Sequence, residues 1–533
     1  MNRTAPASRS LRTTLQRGLQ RIEHVFDTAF GMPANPWRHL GALAFYLFWI
    51  VVATGAYLYA AFDTSVAGAY TSVERITDGA WPLSGFARTL HRYASDAFAV
   101  VVLLHLAREW LNGHARGFRW FSWVSGVPLL WLAYASGLGG YWLVWDRLAQ
   151  FSLVATTEWL DALPLFGEPL ARNFITGASV SNRLFSLLIF LHIGIPLALL
   201  LGMWIHVQRI SAPRTQPPRE LGIGLAFALI LLAVARPATS DVPADPLRVP
   251  AQIAIDWFYQ AIHPLFYATS GTTLWLLAGA ATLALAALPW LGAGGRRNAA
   301  MRRGAAARVD LANCNGCGRC FADCPYAAVT LEPRSDGRAL PREAVVDPDL
   351  CAACGICAGA CPSSTPFRAG DTLRAGIDLP GRPITAVRDE LERGLAALRG
   401  KAKVVVFGCE CAADAAALRA SDTSIVPLAC AAQLPPSFVE YALRGGADGV
   451  LIAGCRDGDC AYRFGTHWTA ARIAGAREPH LRATVPRERV HTAHCGPFDG
   501  DALRTELARL RRALHALPAA PLAALKRKER IHE

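Results

Sequence analysis

The sequence predicts a multidomain protein in which an all-α membrane bundle of six transmembrane helices is followed by a cysteine-rich α+β domain and a small α/β domain. Its 533 residues are 53% hydrophobic and only 18% charged, which is too apolar for a soluble protein. Fourteen of the 15 tryptophans lie at or before Trp290, whereas all 14 cysteines lie between Cys314 and Cys495. The chain therefore changes character near residue 295, and its length fits about three domains.

Six apolar runs are long enough to cross a bilayer, whose hydrocarbon core is about 30 Å thick. They span residues 40–62, 88–110, 121–145, 184–208, 220–236 and 271–292. Basic loops alternate with acid-enriched loops, and cytoplasmic loops carry an excess of Lys and Arg. This pattern predicts a multi-pass protein of a bacterial or archaeal cytoplasmic membrane with both termini in the cytoplasm. The net charge of +13 is attributed to that orientation, so no nucleic acid is expected as a partner.

Four histidines lie inside the predicted spans, where a polar side chain is costly and is therefore a functional candidate. His91 and His105 are 14 residues apart on the second span, and His192 and His206 are 14 apart on the fourth. Fourteen residues make close to four turns, about 21 Å, so both histidines of a span face the same way. Two such helices can hold two haems, each between two imidazoles. We expect His91 with His192 to bind the outer haem and His105 with His206 the cytoplasmic one; interhelical hydrogen bonding is the alternative.

The first 290 residues resemble cytochrome b of the quinol-oxidising cytochrome bc complexes. The shared features are Thr54–Gly55, Arg92 beside His91, GYWLVW at 140–145 and ADPLRVP…IDWFY within 244–259. In that family the last stretch reads Pro-Glu-Trp-Tyr, and its glutamate takes a proton from quinol. The resemblance implies two b haems, a membrane quinone and, by analogy, a homodimer. It makes Asp256 a candidate proton relay, with a structural or solvated loop acid as the alternative, because aspartate is shorter and the proline is absent.

Two motifs of the form Cys-x2-Cys-x2-Cys-x3-Cys-Pro follow the membrane region. This is the spacing of bacterial two-cluster ferredoxins, in which the fourth cysteine of each run ligates the other cluster. The motifs predict a ferredoxin-like α+β domain, and zinc is the alternative ligand. One [4Fe–4S] cluster is expected on Cys314, Cys317, Cys320 and Cys361, and a second on Cys351, Cys354, Cys357 and Cys324.

A third region carries six more cysteines and alternates predicted strands at 403–408 and 446–455 with helical patterns at about 466–476 and 499–516. This pattern predicts a small α/β domain with a metal or redox site or buried structural thiols. FGCEC (407–411), VPLAC (426–430), GADGVLIAGCRDGDCAYRFG (446–465) and Arg472 resemble the iron–sulfur delta subunit of methyl-viologen-reducing hydrogenase, which relays electrons from a hydrogenase to the flavin subunit of heterodisulfide reductase.

The resemblance to the delta subunit implies a [2Fe–2S] cluster with five candidate ligands for four places. Family members usually show Cys-x2-Cys where this chain has Cys-Glu-Cys, so the ligand at that corner stays open. Cys495 is not expected to be a ligand. The five candidates are Cys409, Cys411, Cys430, Cys455 and Cys460.

These predictions divide the chain into seven segments. They are an N-terminal cytoplasmic segment (1–37), a cytochrome b-like di-haem membrane domain (38–292), a linker (293–308), the two-[4Fe–4S] domain (309–367), a second linker (368–402), the delta-subunit-like domain (403–516) and a tail (517–533).

Together the segments predict a membrane electron-transfer subunit of a respiratory oxidoreductase. Electrons would enter from a cytoplasmic dehydrogenase, flavoprotein or hydrogenase-like subunit docked on 403–516 and leave to membrane quinone. The sequence shows no nucleotide fingerprint and no molybdenum or nickel site, so the chain is not expected to be the primary dehydrogenase. The alternatives are reverse transfer from quinol to a low-potential acceptor, driven by the membrane potential, and a redox sensor or scaffold without turnover.

Overall fold

The computed structural model of the chain describes residues 11–79, 82–115, 119–164, 169–174, 180–208, 213–248, 252–291, 304–367, 373–456, 460–497 and 499–517. These residues form two compact units, one up to Leu291 and one beyond it. Residues 1–10 of the predicted N-terminal segment, 293–303 of the predicted first linker and 518–533 of the predicted tail lie outside the described residues.

Helices of the first unit occupy the six apolar runs, and further helices lie between them. The additional helices α1, α3, α6 and α9 are shorter or more polar than a bilayer span, so a search for apolar runs does not find them. The bounds are α1 (Leu11–Phe30), α2 (Leu40–Ala61), α3 (Ala69–Asp78), α4 (Pro82–Leu111), α5 (Trp120–Val144), α6 (Arg147–Asp161), α7 (Asn182–Val207), α8 (Arg219–Ala235), α9 (Ile262–Ala268) and α10 (Gly271–Ala287).

Three helical segments within the described residues are long and apolar enough to cross a membrane. They are Pro36–Ala61, Trp120–Val144 and Phe185–Val207. The α4 helix is 30 residues long but carries charges such as Arg92 and Asp96, and α8 and α10 have 17 residues each. The first unit is therefore a membrane-spanning helical region, and the count of six spans stays a prediction.

Two helix pairs form the centre of this unit. Helix α4 packs along α2, and α7 packs along α5. A buried cluster that includes Leu47, Phe48, Phe98, Leu199 and Met203 joins helices from both pairs. Each helix that carries two of the candidate histidines thus lies against a partner helix with none of them.

The second unit begins with two small antiparallel sheets and two short helices. Strand β1 (Arg308–Val309) pairs with β4 (Ile377–Asp378), and β2 (Val329–Pro333) pairs with β3 (Arg342–Val346). Helices α11 (Arg319–Asp323) and α12 (Ile356–Ala360) each contain the third cysteine of a motif. Gly318 and Gly355 precede them with φ of 76° each, a left-handed conformation that lets each cysteine loop turn into its helix.

A four-stranded parallel sheet in the order β6-β5-β7-β8 forms the rest of this unit. Its strands are β5 (Val404–Cys409), β6 (Thr423–Leu428), β7 (Gly449–Gly454) and β8 (Val490–His494), and its helices are α13 (Ile384–Ala397), α14 (Pro436–Arg444), α15 (Gly465–Ala474) and α16 (Gly500–Ala516). Every residue of β5 and β7 is buried, as expected for parallel strands covered on both faces. Cysteines end or follow all four strands at the same edge of the sheet: Cys409, Cys430, Cys455 and Cys495.

Residues 368–402, predicted as a linker, contain packed structure within their described part, which starts at residue 373. Strand β4 completes the small sheet with β1, and α13 buries Ile384, Val387 and Leu391 in the same core as the large sheet. These apolar side chains recur with helical spacing and cover one face of the sheet. The segment therefore packs against both cysteine-containing regions and joins them in one unit.

Candidate functional site

The four membrane histidines come together as two pairs between α4 and α7. The rings of His91 and His192 have centroids 6.4 Å apart and planes inclined by 67°. Because metal–imidazole bonds are about 2 Å long, this gap fits one metal atom bound from both sides. His206 lies within electrostatic reach of His105, and its Nδ1 is 3.2 Å from Ser125 Oγ. The structure thus brings His91 close to His192 and His206 close to His105.

Hydrogen bonds at Nδ1 orient the outer pair of rings. His91 Nδ1 lies 3.0 Å from the carbonyl oxygen of Val51 and 3.1 Å from Thr54 Oγ1, and His192 Nδ1 lies 3.1 Å from the carbonyl oxygen of Ser136. A carbonyl can only accept, so Nδ1 carries the proton in both rings. Nε2 is then the unprotonated nitrogen, which is the one available to a metal.

Each of the four histidines also packs against a glycine of the neighbouring helix. A Cβ at Gly55, Gly126 or Gly140 would crowd the ring opposite, whereas a Cβ at Gly41 would make an ordinary van der Waals contact. An added Cβ would lie 3.0 Å from His91 Cε1 at Gly55, 3.1 Å from His192 Cε1 at Gly140, 3.1 Å from His206 Cε1 at Gly126 and 3.6 Å from His105 Cε1 at Gly41. Sequence reasoning noted Gly55 and Gly140 only as parts of family-like stretches and missed the packing role of all four glycines, although Gly41–Gly55 and Gly126–Gly140 repeat the 14-residue spacing of the histidines.

Replacing Gly140 with valine is expected to remove the haem of the His91–His192 pair or to weaken its binding. The valine side chain would displace the His192 ring, whose Cε1 would lie 3.1 Å from its Cβ. Haem per protein measures the effect and should fall towards half. Gly194→Val on α7 is the matched control, because a Cβ there would meet no atom within 4 Å. Equal haem loss in both variants would contradict the role of the glycine.

Asp256 lies in the segment between α8 and α9 and contacts Arg92, which follows His91 in the chain. It is 8% exposed; its Oδ2 accepts from Arg92 Nη2 at 2.8 Å, and its Oδ1 accepts from the backbone N–H groups of Phe258 at 2.9 Å and Tyr259 at 2.6 Å. Burial raises the pKa of Asp256, but the bonds from Arg92 and the two N–H groups lower it more, so the pKa lies below its usual value. This geometry holds an ionised carboxylate.

Arg92 connects two carboxylates near the histidines. Its Nη1 donates to Asp96 Oδ1 at 2.9 Å while Nη2 holds Asp256, and the guanidinium stacks 4.6 Å above the ring of Tyr141. Sequence reasoning noted Arg92 only through its neighbour His91. Asp96, which lies on the same helix as Arg92, is a carboxylate of this cluster that sequence reasoning missed.

The eight motif cysteines surround two separate cavities. One is lined by Cys314, Cys317, Cys320 and Cys361, and the other by Cys324, Cys351, Cys354 and Cys357. Each cavity therefore draws three cysteines from one motif and the last from the other, which is the exchange expected from the ferredoxin spacing. Among the residues that the structure describes, no three His, Cys, Asp or Glu side chains converge on one point that could hold a single metal ion.

The third cysteine group forms around the edge of the large sheet. Cys409 Sγ lies 3.9 Å from Cys455 Sγ, and its thiol also interacts with those of Cys411 and Cys430. The Cys460 thiol interacts with those of Cys430 and Cys455. Four of the side chains thus form a closed ring of neighbours, Cys409, Cys430, Cys460 and Cys455. Cys411 hydrogen-bonds to this ring at Cys409 and is within electrostatic reach of Cys460.

Cys495 lies apart from this group although it follows a strand of the same sheet. It belongs to the core on the face covered by α16, whereas Cys409, Cys455 and Cys460 belong to the core on the opposite face. Its thiol is buried beside Asp499 and Glu506, and this burial raises its pKa to about 11. A buried thiol with a raised pKa is poorly reactive.

Comparison with known families assigns each part of the chain. Residues 28–212 match the family of cytochrome b/b6/petB, residues 313–365 match the 4Fe-4S dicluster domain, and residues 403–517 match the delta subunit of methyl-viologen-reducing hydrogenase. These matches confirm the predicted fusion of three parts. Cytochrome b implies haem, and the dicluster domain implies iron–sulfur clusters.

Individual relatives are similar to the membrane part of the chain. Cytochrome b6 of Porphyra purpurea is 32% identical over 183 residues, which cover 33% of this chain and 83% of the relative. Cytochrome b of Rhodospirillum rubrum is 24% identical over 299 residues, which cover 50% of this chain and 73% of the relative. Among solved structures, a chain of a hyperthermophilic respiratory Complex III is similar, with a TM-score of 0.39 and 20% identity over 52% of this chain and 82% of that chain.

The histidine pairs, the two four-cysteine cavities and the matches to family models and sequence relatives agree with one another. The chain is therefore a membrane electron-transfer protein that belongs to the cytochrome b family, extended by a 4Fe-4S dicluster region and a hydrogenase delta-subunit region.

Proposed function

We propose that the chain carries electrons from a cytoplasmic dehydrogenase, flavoprotein or hydrogenase-like subunit to membrane quinone. The observation that carries the proposal is the joining, in one chain, of two histidine pairs packed on glycines with three separate groups of cysteines. Haems and iron–sulfur clusters supply one-electron transfer when bound. The residues of the chain hold these groups, set their order and exclude water from them.

Two b haems are assigned to the histidine pairs. His91 and His192 would hold the outer haem, and His105 and His206 the cytoplasmic one. Support comes from the facing rings of the outer pair and from the Nδ1 hydrogen bonds, which leave Nε2 for iron. The two imidazoles of each pair would hold the haem iron and leave it no position for oxygen, as an electron-transfer haem requires.

A [2Fe–2S] cluster is assigned to the closed ring of Cys409, Cys430, Cys455 and Cys460. Cys411 is the fifth candidate; its side chain is the only partly exposed one among the five, whereas the ring cysteines are buried. Of the two cysteines in the Cys-Glu-Cys sequence, Cys409 is therefore the proposed ligand and Cys411 is not. The two [4Fe–4S] clusters take the two cavities described above.

Replacing Cys411 with serine is therefore expected to leave the [2Fe–2S] cluster in place, whereas Cys430→Ser is expected to remove it. The thiol of Cys430 hydrogen-bonds to those of both Cys409 and Cys460, whereas the thiol of Cys411 hydrogen-bonds to that of Cys409 and is within electrostatic reach of Cys460. Iron and sulfide content with electron paramagnetic resonance of the reduced protein measures the outcome, and Cys495→Ser is the unaffected control. Loss of the cluster in Cys411→Ser would contradict the assignment.

Quinone is the proposed membrane acceptor, and the Arg92 cluster is the proposed neighbour of its outer site. A group that relays protons works best with a pKa near the operating pH, whereas Asp256 is held ionised by Arg92 and two backbone N–H groups. Proton transfer by Asp256 would require the bond to Arg92 to open. The contacts favour a role for Asp256 in shaping the loop, and its role as a relay stays a prediction.

The proposed arrangement places the chain in a bacterial or archaeal cytoplasmic membrane, with both termini and all cysteines in the cytoplasm. Cytoplasmic thiols stay reduced and available to iron, and the fourteen cysteines show no disulfide within the described residues. The soluble partner would dock on 403–516. Dimerisation is proposed only by analogy with cytochrome b.

The proposal is tested by purifying the complex from membranes together with any subunit that stays bound. Its absorption spectrum is then followed under anaerobic conditions with dithionite and with a quinone analogue. Two b haems that dithionite reduces and quinone reoxidises are expected, with a dehydrogenase or flavoprotein as the bound subunit. A preparation without b haem would contradict the proposal and would leave the membrane unit as an anchor.

A further inference from the structure

Arg472 of α15 connects three separate segments of the second unit. Its side chain is 1% exposed. Nη1 donates to the carbonyl oxygen of Ala432 at 2.8 Å, Nη2 donates to the carbonyl oxygen of Ile356 at 3.4 Å, and Nη2 also donates to the carboxylate of Asp323. The planar guanidinium, with its five fixed donors, can serve several acceptors at once, which an ammonium group cannot do with the same geometry.

All three partners of Arg472 adjoin candidate cluster ligands. The contacts therefore tie the loops of one [4Fe–4S] cavity to a loop of the third cysteine group. Ala432 follows Cys430 by two residues, Ile356 stands between Cys354 and Cys357, and Asp323 directly precedes Cys324.

The packing around Arg472 brings the same two sites together. Cys354 and Cys430 share a buried apolar cluster with Ile356 and Ala432. The two loops touch through their backbones, because a Cβ at Gly359 would lie 2.0 Å from the carbonyl oxygen of Ala432. The other [4Fe–4S] cavity takes no part in these contacts, since its lining residues are Cys314–Gly318, Cys320, Leu331, Ala344, Cys361, Gly376 and Ile377.

We propose that Arg472 is a positioning residue that holds the third cysteine group against the cavity of Cys324, Cys351, Cys354 and Cys357, so that electrons pass directly between these two sites. This rests on the proposed function. In the step a single electron moves: the reduced [2Fe–2S] cluster is oxidised, the adjacent [4Fe–4S] cluster is reduced, and no bond is made or broken. The cavity with Cys317, which is exposed, is then the more distant of the two [4Fe–4S] sites.

The test uses the full-length protein, reduced with dithionite, and measures the magnetic splitting between neighbouring clusters by electron paramagnetic resonance. Arg472→Met alone would leave the buried Asp323 with only the partly exposed Arg477 as its charged partner, which weakens the fold at this point. The double variant Arg472→Met/Asp323→Asn removes both charges together. We expect the double variant to lose the splitting between the [2Fe–2S] cluster and one [4Fe–4S] cluster while iron and sulfide per protein stay unchanged.

Arg477→Met is the matched control for the double variant. Arg477 Nε also donates to Asp323, at 2.7 Å, but its side chain is 26% exposed and stacks on Trp468 instead of reaching Ile356 or Ala432. This variant should keep the splitting. A double variant with full iron content and an unchanged splitting would overturn the proposal, as would a native protein with three clusters and no splitting. A native protein without a [2Fe–2S] signal would instead contradict the proposed function.

Discussion

Replacing His192 with alanine is expected to remove one of two haems and to leave the other in place. The rings of His192 and His91 have centroids 6.4 Å apart, so His192 supplies one side of this pair. Without this ligand, the iron of the outer haem would keep only one imidazole. Haem per protein should fall by about half, and a redox titration should change from two steps to one.

His206→Ala provides the complementary variant, because it removes a ligand of the other pair. The step that remains in the titration should then be the one that is missing from His192→Ala. His263→Ala is the matched control: His263 is a buried histidine of the same unit, but its Nε2 lies 3.1 Å from Thr156 Oγ1 and it belongs to neither pair. Retention of both haems in His192→Ala, or equal haem loss in the control, would show that the pairs are not haem sites.

Helix positions in the membrane unit were readable from the sequence because the bilayer imposes one strong requirement, a long apolar run. The first run, predicted at 40–62, corresponds to Leu40–Ala61, and the third, predicted at 121–145, corresponds to Trp120–Val144. Helix α1 lacks such a run, because it is amphipathic and buries residues such as Leu19 and Glu23 among polar neighbours. Hydropathy therefore found the long apolar helices and missed the amphipathic ones.

The site residues differ in how far the sequence could specify them. Histidines and motif cysteines are recognisable because metal binding requires those side chains at fixed spacings. The glycines opposite the histidines were equally readable, since their spacing repeats the same 14 residues. Arg472 could be noted but not interpreted, because its partners Asp323 and Ile356 are more than 100 residues away in the chain. Such contacts depend on how two regions pack, which no local pattern encodes.

Replacing Cys361 with serine is expected to remove the [4Fe–4S] cluster of the first motif, although Cys361 belongs to the second motif. Cys361 lines the cavity of Cys314, Cys317 and Cys320, and Cys324 lines the opposite one. A cluster deprived of one of its four thiolates loses a ligand that the surrounding apolar side chains cannot replace. Two [4Fe–4S] clusters and one [2Fe–2S] cluster contain ten iron atoms. Cys361→Ser, and likewise Cys324→Ser, should therefore lose about four of them.

Iron content alone does not say which cluster is lost, so the spectra are compared with those of two reference variants. Cys317→Ser removes a ligand of the first cavity, and Cys354→Ser removes a ligand of the second. The spectrum of Cys361→Ser should reproduce that of Cys317→Ser, and the spectrum of Cys324→Ser should reproduce that of Cys354→Ser. If Cys361→Ser instead matched Cys354→Ser, each motif would bind its own cluster. Cys324 directly follows the short helix α11, and Cys361 directly follows α12. Both helices would then have to move, because each of these two cysteines lines the cavity of the other motif in this structure.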